Sequence, residues 1–177
     1  MIKSFIITLF TQIGVGELAK NKGKTNAMRK LDSSQIQYEL VTYDIEDGLL
    51  DGISVAQKTQ RDPQEVFKTL VTQGSAKQVY VFLVPVQEEL SLKKAASAVG
   101  EKKIDMLPVK EIQSTTGYSK GGCSPIGMKR DFPTCIAEQA TSLPSIIVSA
   151  GKIGKQIELR VPDLIQVTDA KLVDVTS

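Results

Sequence analysis

The chain has 177 residues and a mass of 19.2 kDa, a size that fits one domain. With 41% hydrophobic and 24% charged residues it has the composition of a globular protein, and a net charge of +2 provides no bulk attraction for nucleic acid. The sequence contains no histidine, which excludes Ser-His-Asp and Cys-His nucleophile systems and histidine-ligated zinc. An enzyme built from this chain must use lysine, tyrosine, hydroxyl groups, carboxylates, backbone amides or the substrate itself.

The cysteines and the N-terminus bear on the cellular location. Cys123 and Cys135 do not form a CxxC pair, and we interpret them as free thiols in a reducing cytosol. The apolar run 5–10 is too short for a signal peptide or a membrane span. We therefore predict a cytoplasmic protein with a poorly ordered N-terminal extension over residues 1–24 and one domain over 25–177. We expect neither a metal nor a cofactor.

The first half of the chain predicts short helices and strands in alternation. Thr25 is a suitable N-cap for a helix that ends near residue 34. Asp62-Pro63-Gln64-Glu65 has the residues of a capping box with proline at the first helical position, which predicts another helix start. The other elements predicted here are a strand over 38–43, an acidic loop over 44–52, a short helix over 54–59, a strand over 67–72, a turn over 73–77 and a central strand over 78–86.

The second half continues this mixture without a regular strand–helix–strand rhythm. Ser91 opens a helix that Gly100 closes. We further predict strands over 102–106, 134–137, 145–148, 156–160 and 172–175, helical turns over 109–113 and 162–166, a glycine- and serine-rich loop over 114–127 and a tight turn over 151–154. The pattern predicts an α+β fold with a mixed, largely antiparallel sheet on which helices pack.

Two features could carry chemistry. Lys68 begins a strand between apolar neighbours, so it is either a lysine that extends its charged end to solvent or a fixed cation in a cleft. Two glycine-rich segments, 117–125 and 149–154, would let backbone N–H groups approach a ligand, although neither matches a P-loop or a GxGxxG motif. From the residues alone, both features stay open between a structural and a functional role.

Four segments, taken together, resemble the YbaK/EbsC family, which is related to the editing domain of bacterial prolyl-tRNA synthetase. They are VFKTL (66–70), STTGYSKGGCSPIGMKR (114–130), IIVSAGKIGKQIEL (146–159) and, near the front, TNAMRKLD followed by YELVTYD (25–44). The resemblance covers about residues 25–175. It implies a mixed sheet curled into a partly open barrel with surrounding helices. It also implies a free-standing deacylase that removes cysteine from the proline tRNA alongside prolyl-tRNA synthetase.

The resemblance assigns roles position by position. Lys68 matches the family's essential lysine and is the expected catalytic residue. The expected substrate-binding residues are Tyr43, Gly117, Gly121, Gly122, Ser149 and Gly151. The chain departs from the family at Gln156, where aspartate is common, and at Ala150 and Ile153. The Gln156 departure removes a charge partner and leaves the role of that position open.

The family chemistry is compatible with the missing histidine. Cysteine-specific members let the substrate thiol attack its own ester carbonyl, which gives a cyclic thioester and free tRNA. The protein then has to orient the aminoacyl group and stabilise the developing negative charge. Two alternatives stay open: a deacylase for another mischarged tRNA such as Ala-tRNA(Pro), and a non-catalytic module that binds tRNA or a synthetase.

Overall fold

The computed structural model describes residues 23–177, which form five α-helices and eight β-strands. The predicted N-terminal extension falls almost entirely on residues 1–22, outside the described residues. The helices are α1 (Asn26–Ser33), α2 (Gly52–Lys58), α3 (Leu92–Ala98), α4 (Val109–Thr116) and α5 (Val161–Thr168). The strands are β1 (Glu39–Thr42), β2 (Phe67–Gln73), β3 (Val79–Pro85), β4 (Asp105–Met106), β5 (Thr134–Ala137), β6 (Ser145–Lys152), β7 (Lys155–Arg160) and β8 (Lys171–Val173), and short 3-10 turns span Ser75–Lys77 and Glu138–Ser142.

Side-chain caps begin two of the helices where the sequence predicts them. The Thr25 hydroxyl oxygen accepts a hydrogen bond from the backbone N–H of Met28 at 3.3 Å and begins α1. The Ser91 hydroxyl oxygen accepts from the backbone N–H of Lys94 at 3.3 Å and begins α3. Each cap satisfies an N–H that has no partner inside its helix, so these boundaries follow from local chemistry.

The helix predicted to start at Asp62 does not form. The Asp62 carboxylate accepts from the Gln64 N–H at 2.9 Å, and the Asp62 carbonyl accepts from the Glu65 N–H at 2.9 Å, which closes a single turn. The chain then becomes extended at Val66, which pairs with Ile147. The prediction was wrong because a distant strand holds Val66 in an extended conformation, and a helix needs several more consecutive helical residues.

Three other elements are longer than predicted. Helix α4 continues to Thr116 and α5 to Thr168, and β6 continues to Lys152, so that the predicted turn over 151–154 is reduced to residues 153–154. Strand β6 pairs with β7 up to Lys152↔Lys155, with a register irregularity after Ser149. Pairing with a neighbouring strand extends β6 beyond the end of its apolar run.

The strands form two sheets. The first has the antiparallel order β1-β7-β6, and the second has the order β4-β2-β3-β5-β8, in which β3–β5 and β5–β8 are parallel. Every residue of β3 is buried, so the most β-rich run of the sequence is the central strand, as predicted. The architecture confirms the α+β class with a mixed sheet.

A single bridge joins the two sheets. Val66, immediately before β2, pairs in parallel with Ile147 of β6, and the Ile147 N–H donates to the Glu65 carbonyl at 2.8 Å. At its other end β2 pairs with β4 instead. The combined sheet therefore curls around the core without closing, which agrees with the expected partly open barrel.

Apolar side chains fill the space inside this curl and cover the junction. Ala27, Met28 and Leu31 of α1 pack in the same cluster as Val148 and Ile157 of the first sheet. On the outer face a separate small cluster contains Ala56 of α2 with the two bridge residues, and Val86 packs against it. Helix α2 therefore covers the junction from outside.

Because Ile147 is fully buried at the junction, Ile147→Ala should lower the free energy of unfolding by about 2–5 kcal/mol. The matched control is Val109→Ala, whose side chain is 56% exposed and which should change stability by less than about 0.5 kcal/mol. Urea unfolding of the two variants measures the difference. Equal losses would show that the junction is not a stabilising contact.

Candidate functional site

Strand register places three side chains in one row on the outer face, and the bridge between the sheets places a fourth on the same face. Ser149 of β6 pairs with Gln156 of β7, and Gln156 pairs with Val41 of β1. The bridge between the sheets lies two residues before Ser149 on β6 and two residues before Lys68 on the chain entering β2. Since side chains alternate along a strand, Lys68 projects from the same face as Ser149. The row Lys68, Ser149, Gln156 and Val41 is here called the site floor.

Lys68 offers a cation at one end of the floor. Its side chain is 28% exposed, and its Nζ lies 3.5 Å from Oε1 of Glu89, which is 82% exposed. Within residues 23–177 Glu89 is its only ionic partner. A pair that is this open to water contributes little to stability, so Lys68 can leave Glu89 for a ligand at small cost.

Helix α2 forms a wall beside the floor. Ala56 packs on the bridge residues, and Arg61, just beyond the helix, places Nη1 2.8 Å from Oε2 of Glu158 and Nη2 3.3 Å from Oε1 of Glu39. Glu39 and Glu158 belong to the row of paired residues next to the floor. Arg61 therefore holds α2 over that row. The floor lies beside the row, at the edge of the helix.

The segment after β1 continues this wall. The Tyr43 N–H donates to the Gly154 carbonyl at 3.0 Å, and by alternation the half-buried Tyr43 side chain shares the face of the floor. Lys58 Nζ donates to the carbonyls of Asp44 at 2.9 Å and Leu49 at 2.8 Å. These bonds tie the acidic loop to α2, so that Tyr43 has a defined position beside the β6–β7 turn.

The first glycine-rich segment, residues 117–125, is here called the glycine loop, and it lies against the β6–β7 turn. A side chain at Gly122 would place its Cβ 3.0 Å from the backbone nitrogen of Ile153, and one at Gly121 would meet the Ile153 side chain at 3.6 Å. Gly151 has φ +98°, and its Cβ would lie 2.6 Å from Cε1 of Tyr118. Glycine is required at 122 because the backbones of the two loops approach each other, and at 151 because of the Tyr118 ring and the positive φ. The structure thus brings Gly121, Gly122 and Gly151 together.

Ser149 and Gly117 occupy different places relative to this contact. The Ser149 hydroxyl oxygen accepts from the Gly151 N–H at 3.3 Å, and among residues 23–177 no acceptor takes its hydrogen. Gly117 has φ +86° and ends α4, where a Cβ would meet the Lys129 side chain at 3.1 Å. Gly117 therefore shapes the start of the loop, whereas Ser149 lies on the floor itself.

Gln156 is the enclosed polar group of the floor. It is 8% exposed, its Oε1 is buried, and its carboxamide makes no hydrogen bond to residues 23–177. In the sequence KQIELR, Gln156 and Glu158 alternate with Ile157 and Leu159, and this alternation could have placed both polar residues on one face. The sequence also did not predict the roles of Tyr118 and Arg61, because the residues they contact are distant in the chain.

The groups beneath the glycine loop are not poised for nucleophilic chemistry. Burial raises the pKa of the Cys123 thiol to about 11, although its Sγ lies 3.8 Å from Oγ1 of Thr116. Burial likewise raises the pKa of Tyr118 to about 12, and its hydroxyl donates to the Ile126 carbonyl at 2.7 Å. Both groups are protonated near pH 7, which assigns them to packing rather than to attack on a substrate.

Other candidate features do not include the floor residues. Within residues 23–177 no cluster of three acidic or cysteine side chains is arranged to hold a metal ion. None of the helices in this part of the chain has the length and apolar character needed to cross a membrane. Cavities of about 640 Å³ beside α3 and about 530 Å³ beside β7 contain neither Lys68 nor the glycines of the two loops.

Comparison with known proteins places this geometry in context. Residues 51–167 match the model of the aminoacyl-tRNA editing domain. EbsC of Enterococcus faecalis, described as a candidate Cys-tRNA(Pro)/Cys-tRNA(Cys) deacylase, is 42% identical over 158 residues, which are 89% of this chain and 96% of that protein. The crystal structure of a candidate trans-editing enzyme for prolyl-tRNA synthetase is 21% identical with a TM-score of 0.76, over 86% of this chain and 95% of that one. A crystal structure of a protein described as hypothetical is 18% identical with a TM-score of 0.79, over 86% and 100%. At these sequence identities the two crystal structures establish only that the fold is similar.

Replacing Gly151 by alanine should destabilise the protein more than replacing Gly48. Both glycines have positive φ, but a Cβ at Gly48 meets nothing within 4 Å, whereas one at Gly151 overlaps the Tyr118 ring. Gly48→Ala should cost about 1–2 kcal/mol from backbone strain, and Gly151→Ala should cost a further ~1–3 kcal/mol from overpacking. Chemical unfolding of both variants checks this, and equal losses would exclude close packing of the loop on the turn.

The buried thiol predicts a loss of stability at alkaline pH. Because folding raises the Cys123 pKa from 9.0 to about 11, the unfolded chain releases this proton at lower pH. The resulting stabilisation is fully present below about pH 9 and is lost as the pH rises from 9 to 11. The stability gap between the wild type and Cys123→Ala should therefore narrow across that window in urea titrations. A gap independent of pH would contradict the burial of the thiol.

Proposed function

Since the chain belongs to the family of aminoacyl-tRNA editing domains and is an aminoacyl-tRNA deacylase, we propose that its substrate is cysteine attached in error to the proline tRNA. The observation that carries the proposal is the row of Lys68 and Ser149 on one face, bounded by α2 and the glycine loop. The relative from Enterococcus faecalis supports the choice of substrate through its name and its 42% identity.

In this proposal the reaction needs no nucleophile from the protein. The cysteine sulfur loses its proton and attacks the carbonyl carbon of its own ester, which forms the carbon–sulfur bond of a cyclic thioester. The bond to the ribose oxygen breaks, and that oxygen takes up a proton to leave free tRNA. The atoms balance without a cofactor, and the absence of histidine from the chain is no obstacle.

The residues of the site then act by position and charge. Lys68 leaves Glu89 and donates hydrogen bonds to the carbonyl oxygen as negative charge develops on it. Ser149 offers a hydroxyl hydrogen from the next strand. The backbone N–H of Gly121, which has no acceptor among residues 23–177, binds the aminoacyl group, while Gly122 and Gly151 allow the loop to pack closely on the β6–β7 turn. The Tyr43 side chain bounds the site beside the β6–β7 turn.

Requiring a thiol in the substrate also explains how such an open site would select cysteine. A pocket distinguishes side chains that differ by one methylene by only about 1–3 kcal/mol. Alanine has no group able to attack its ester, and the serine hydroxyl is a weaker nucleophile than a thiol, so both would be rejected by chemistry. The proposal places the protein in the cytoplasm, where it would act on the tRNA released by prolyl-tRNA synthetase.

The test compares deacylation of Cys-tRNA(Pro) and Ala-tRNA(Pro) by wild type and by Lys68→Ala. The wild type should release cysteine much faster than alanine, and Lys68→Ala should slow cysteine release by roughly 100-fold to 1,000-fold, the loss typical of one oxyanion donor. Lys68→Arg should keep part of the rate because it retains a cation. The matched control, Lys103→Ala, removes an exposed lysine that pairs with Asp105 and should leave the rate unchanged.

Three outcomes would overturn parts of this proposal. Faster release of alanine would indicate water as the nucleophile and a different substrate. Binding of tRNA without release of either amino acid would indicate a binding module. An undiminished rate in Lys68→Ala would remove the lysine from the catalytic role while leaving the deacylase function in place.

A further inference from the structure

We propose that Lys120, Lys152 and Lys155 form a docking surface for the phosphate backbone at the aminoacylated end of the tRNA. The three residues, here called the lysine cluster, lie where the β6–β7 turn meets the glycine loop. This inference rests on the proposed deacylase function and deepens it, because it assigns the direction from which the nucleic acid reaches the site floor.

The first argument is an unfavourable pairing of like charges. Lys152 of β6 and Lys155 of β7 are partners in an antiparallel pair, so their side chains leave the hairpin on the same face. Like charges directly opposite each other destabilise a sheet. Within residues 23–177 neither lysine forms an ion pair or a side-chain hydrogen bond. An anion placed between the two ammonium groups would remove the repulsion, so the pair calls for a negatively charged partner from outside the chain.

The second argument is that the glycine loop adds a third cation. A Cβ on Gly122 would lie 3.2 Å from Cα of Lys152, so the loop touches the turn at this lysine. Lys120 stands two positions earlier in the loop and is exposed, and it too has no ionic or hydrogen-bonded side-chain partner in the described part of the chain. Two segments that are distant in the chain therefore bring their lysines together. Such a local concentration of positive charge is the electrostatic footprint of a phosphate backbone.

The third argument is the position of the cluster relative to the floor. Lys152 follows Ser149 on β6, and at about 3.3 Å per residue the two are roughly 10 Å apart along the strand. Lys155 directly precedes Gln156, so by alternation its side chain leaves the other face of β7. The cluster therefore frames the end of the sheet beside the floor. A tRNA whose terminal ribose lies over the floor would carry its neighbouring phosphates across this end.

The border of the floor along α2 is unsuited to phosphates. There Glu39 and Glu158 share the single guanidinium of Arg61. The acidic loop over 44–52 carries four carboxylates, and Lys58 ties it to the helix. These carboxylates repel a polyanion, and the net charge of +2 supplies no general attraction that would overcome them. The charge distribution leaves the side of the lysine cluster as the path for the nucleic acid.

The experiment measures how salt changes the interaction with tRNA. Binding of uncharged tRNA(Pro) and kcat/KM for Cys-tRNA(Pro) are measured from about 50 to 200 mM salt for wild type and for Lys152→Gln/Lys155→Gln. Each lysine on a phosphate contributes about 0.7–0.9 to the slope of log affinity against log salt concentration. The advantage of the wild type over the double variant should therefore shrink roughly 10-fold across that range. Lys120→Gln should lower the slope by the amount expected for one lysine.

A second readout separates docking from the condition of the floor. The cysteinyl ester of adenosine keeps the thiol, the ester and the terminal ribose but has no phosphate. The ratio of kcat/KM for Cys-tRNA(Pro) to that for this nucleoside ester should fall in the double variant, because only the tRNA reaches the cluster. The ratio is measured on one preparation, so a smaller fraction of folded protein does not change it.

The matched control is Lys102→Gln/Lys103→Gln, which removes the same amount of positive charge elsewhere. Both lysines are exposed and precede β4, which pairs with the end of β2 that is remote from Lys68. This control should keep the wild-type salt slope and the wild-type ratio of the two substrates.

A Lys152→Gln/Lys155→Gln protein with the wild-type slope and ratio would overturn the inference and would point to an acidic protein as the partner of the cluster. An equal loss of slope in the control would overturn it too, because net charge would then explain the effect. Failure of the proposed function has a different signature. The wild type would then hydrolyse neither ester, while the salt dependence of tRNA binding would still show whether the cluster holds phosphates.

Discussion

The parallel pairing of Val66 with Ile147 is the contact on which the arrangement of the site depends. It joins a three-stranded sheet to a five-stranded one and fixes the relative register of β2 and β6. Because side chains alternate along both strands, this one pairing decides that Lys68 and Ser149 share a face. A shift of one residue would turn Lys68 toward the core and remove the cation from the floor. Helix α2, packed on the bridge and fastened by Arg61 to Glu158, maintains that register from outside.

Close backbone contact defines the other side of the site. Gly122 lies against the backbone of Ile153, and Gly151 lies against the ring of Tyr118. Burial beneath this packing raises the pKa of the Cys123 thiol and of the Tyr118 phenol, so both stay protonated near pH 7. Neither group is therefore available as a nucleophile, which is compatible with the proposal that the substrate supplies the attacking group.

Local signals predicted those parts of the fold that depend on neighbours in the chain. The cap at Thr25 and the β-rich run of β3 are correct to within one or two residues because a side-chain cap and a branched apolar run act over a few positions. The same reasoning failed at Asp62, where a sequence with the residues of a capping box forms only one turn and the chain then enters the sheet junction. For the site, the family motifs pointed to Lys68 and the glycines, while Gln156 was noticed only as a departure.

The sequence by itself determined the α+β class, the family, and the absence of any histidine-based mechanism. These follow from residue types and short motifs. Only the tertiary structure decided that Lys68, Ser149 and Gln156 share one face, that Arg61 holds α2 beside them, and that the carboxamide of Gln156 is buried without a partner among residues 23–177. The physical reason is that register and burial are properties of strands that meet from distant parts of the chain. Each strand's own sequence defines its two faces, but the strand beside it decides what those faces meet.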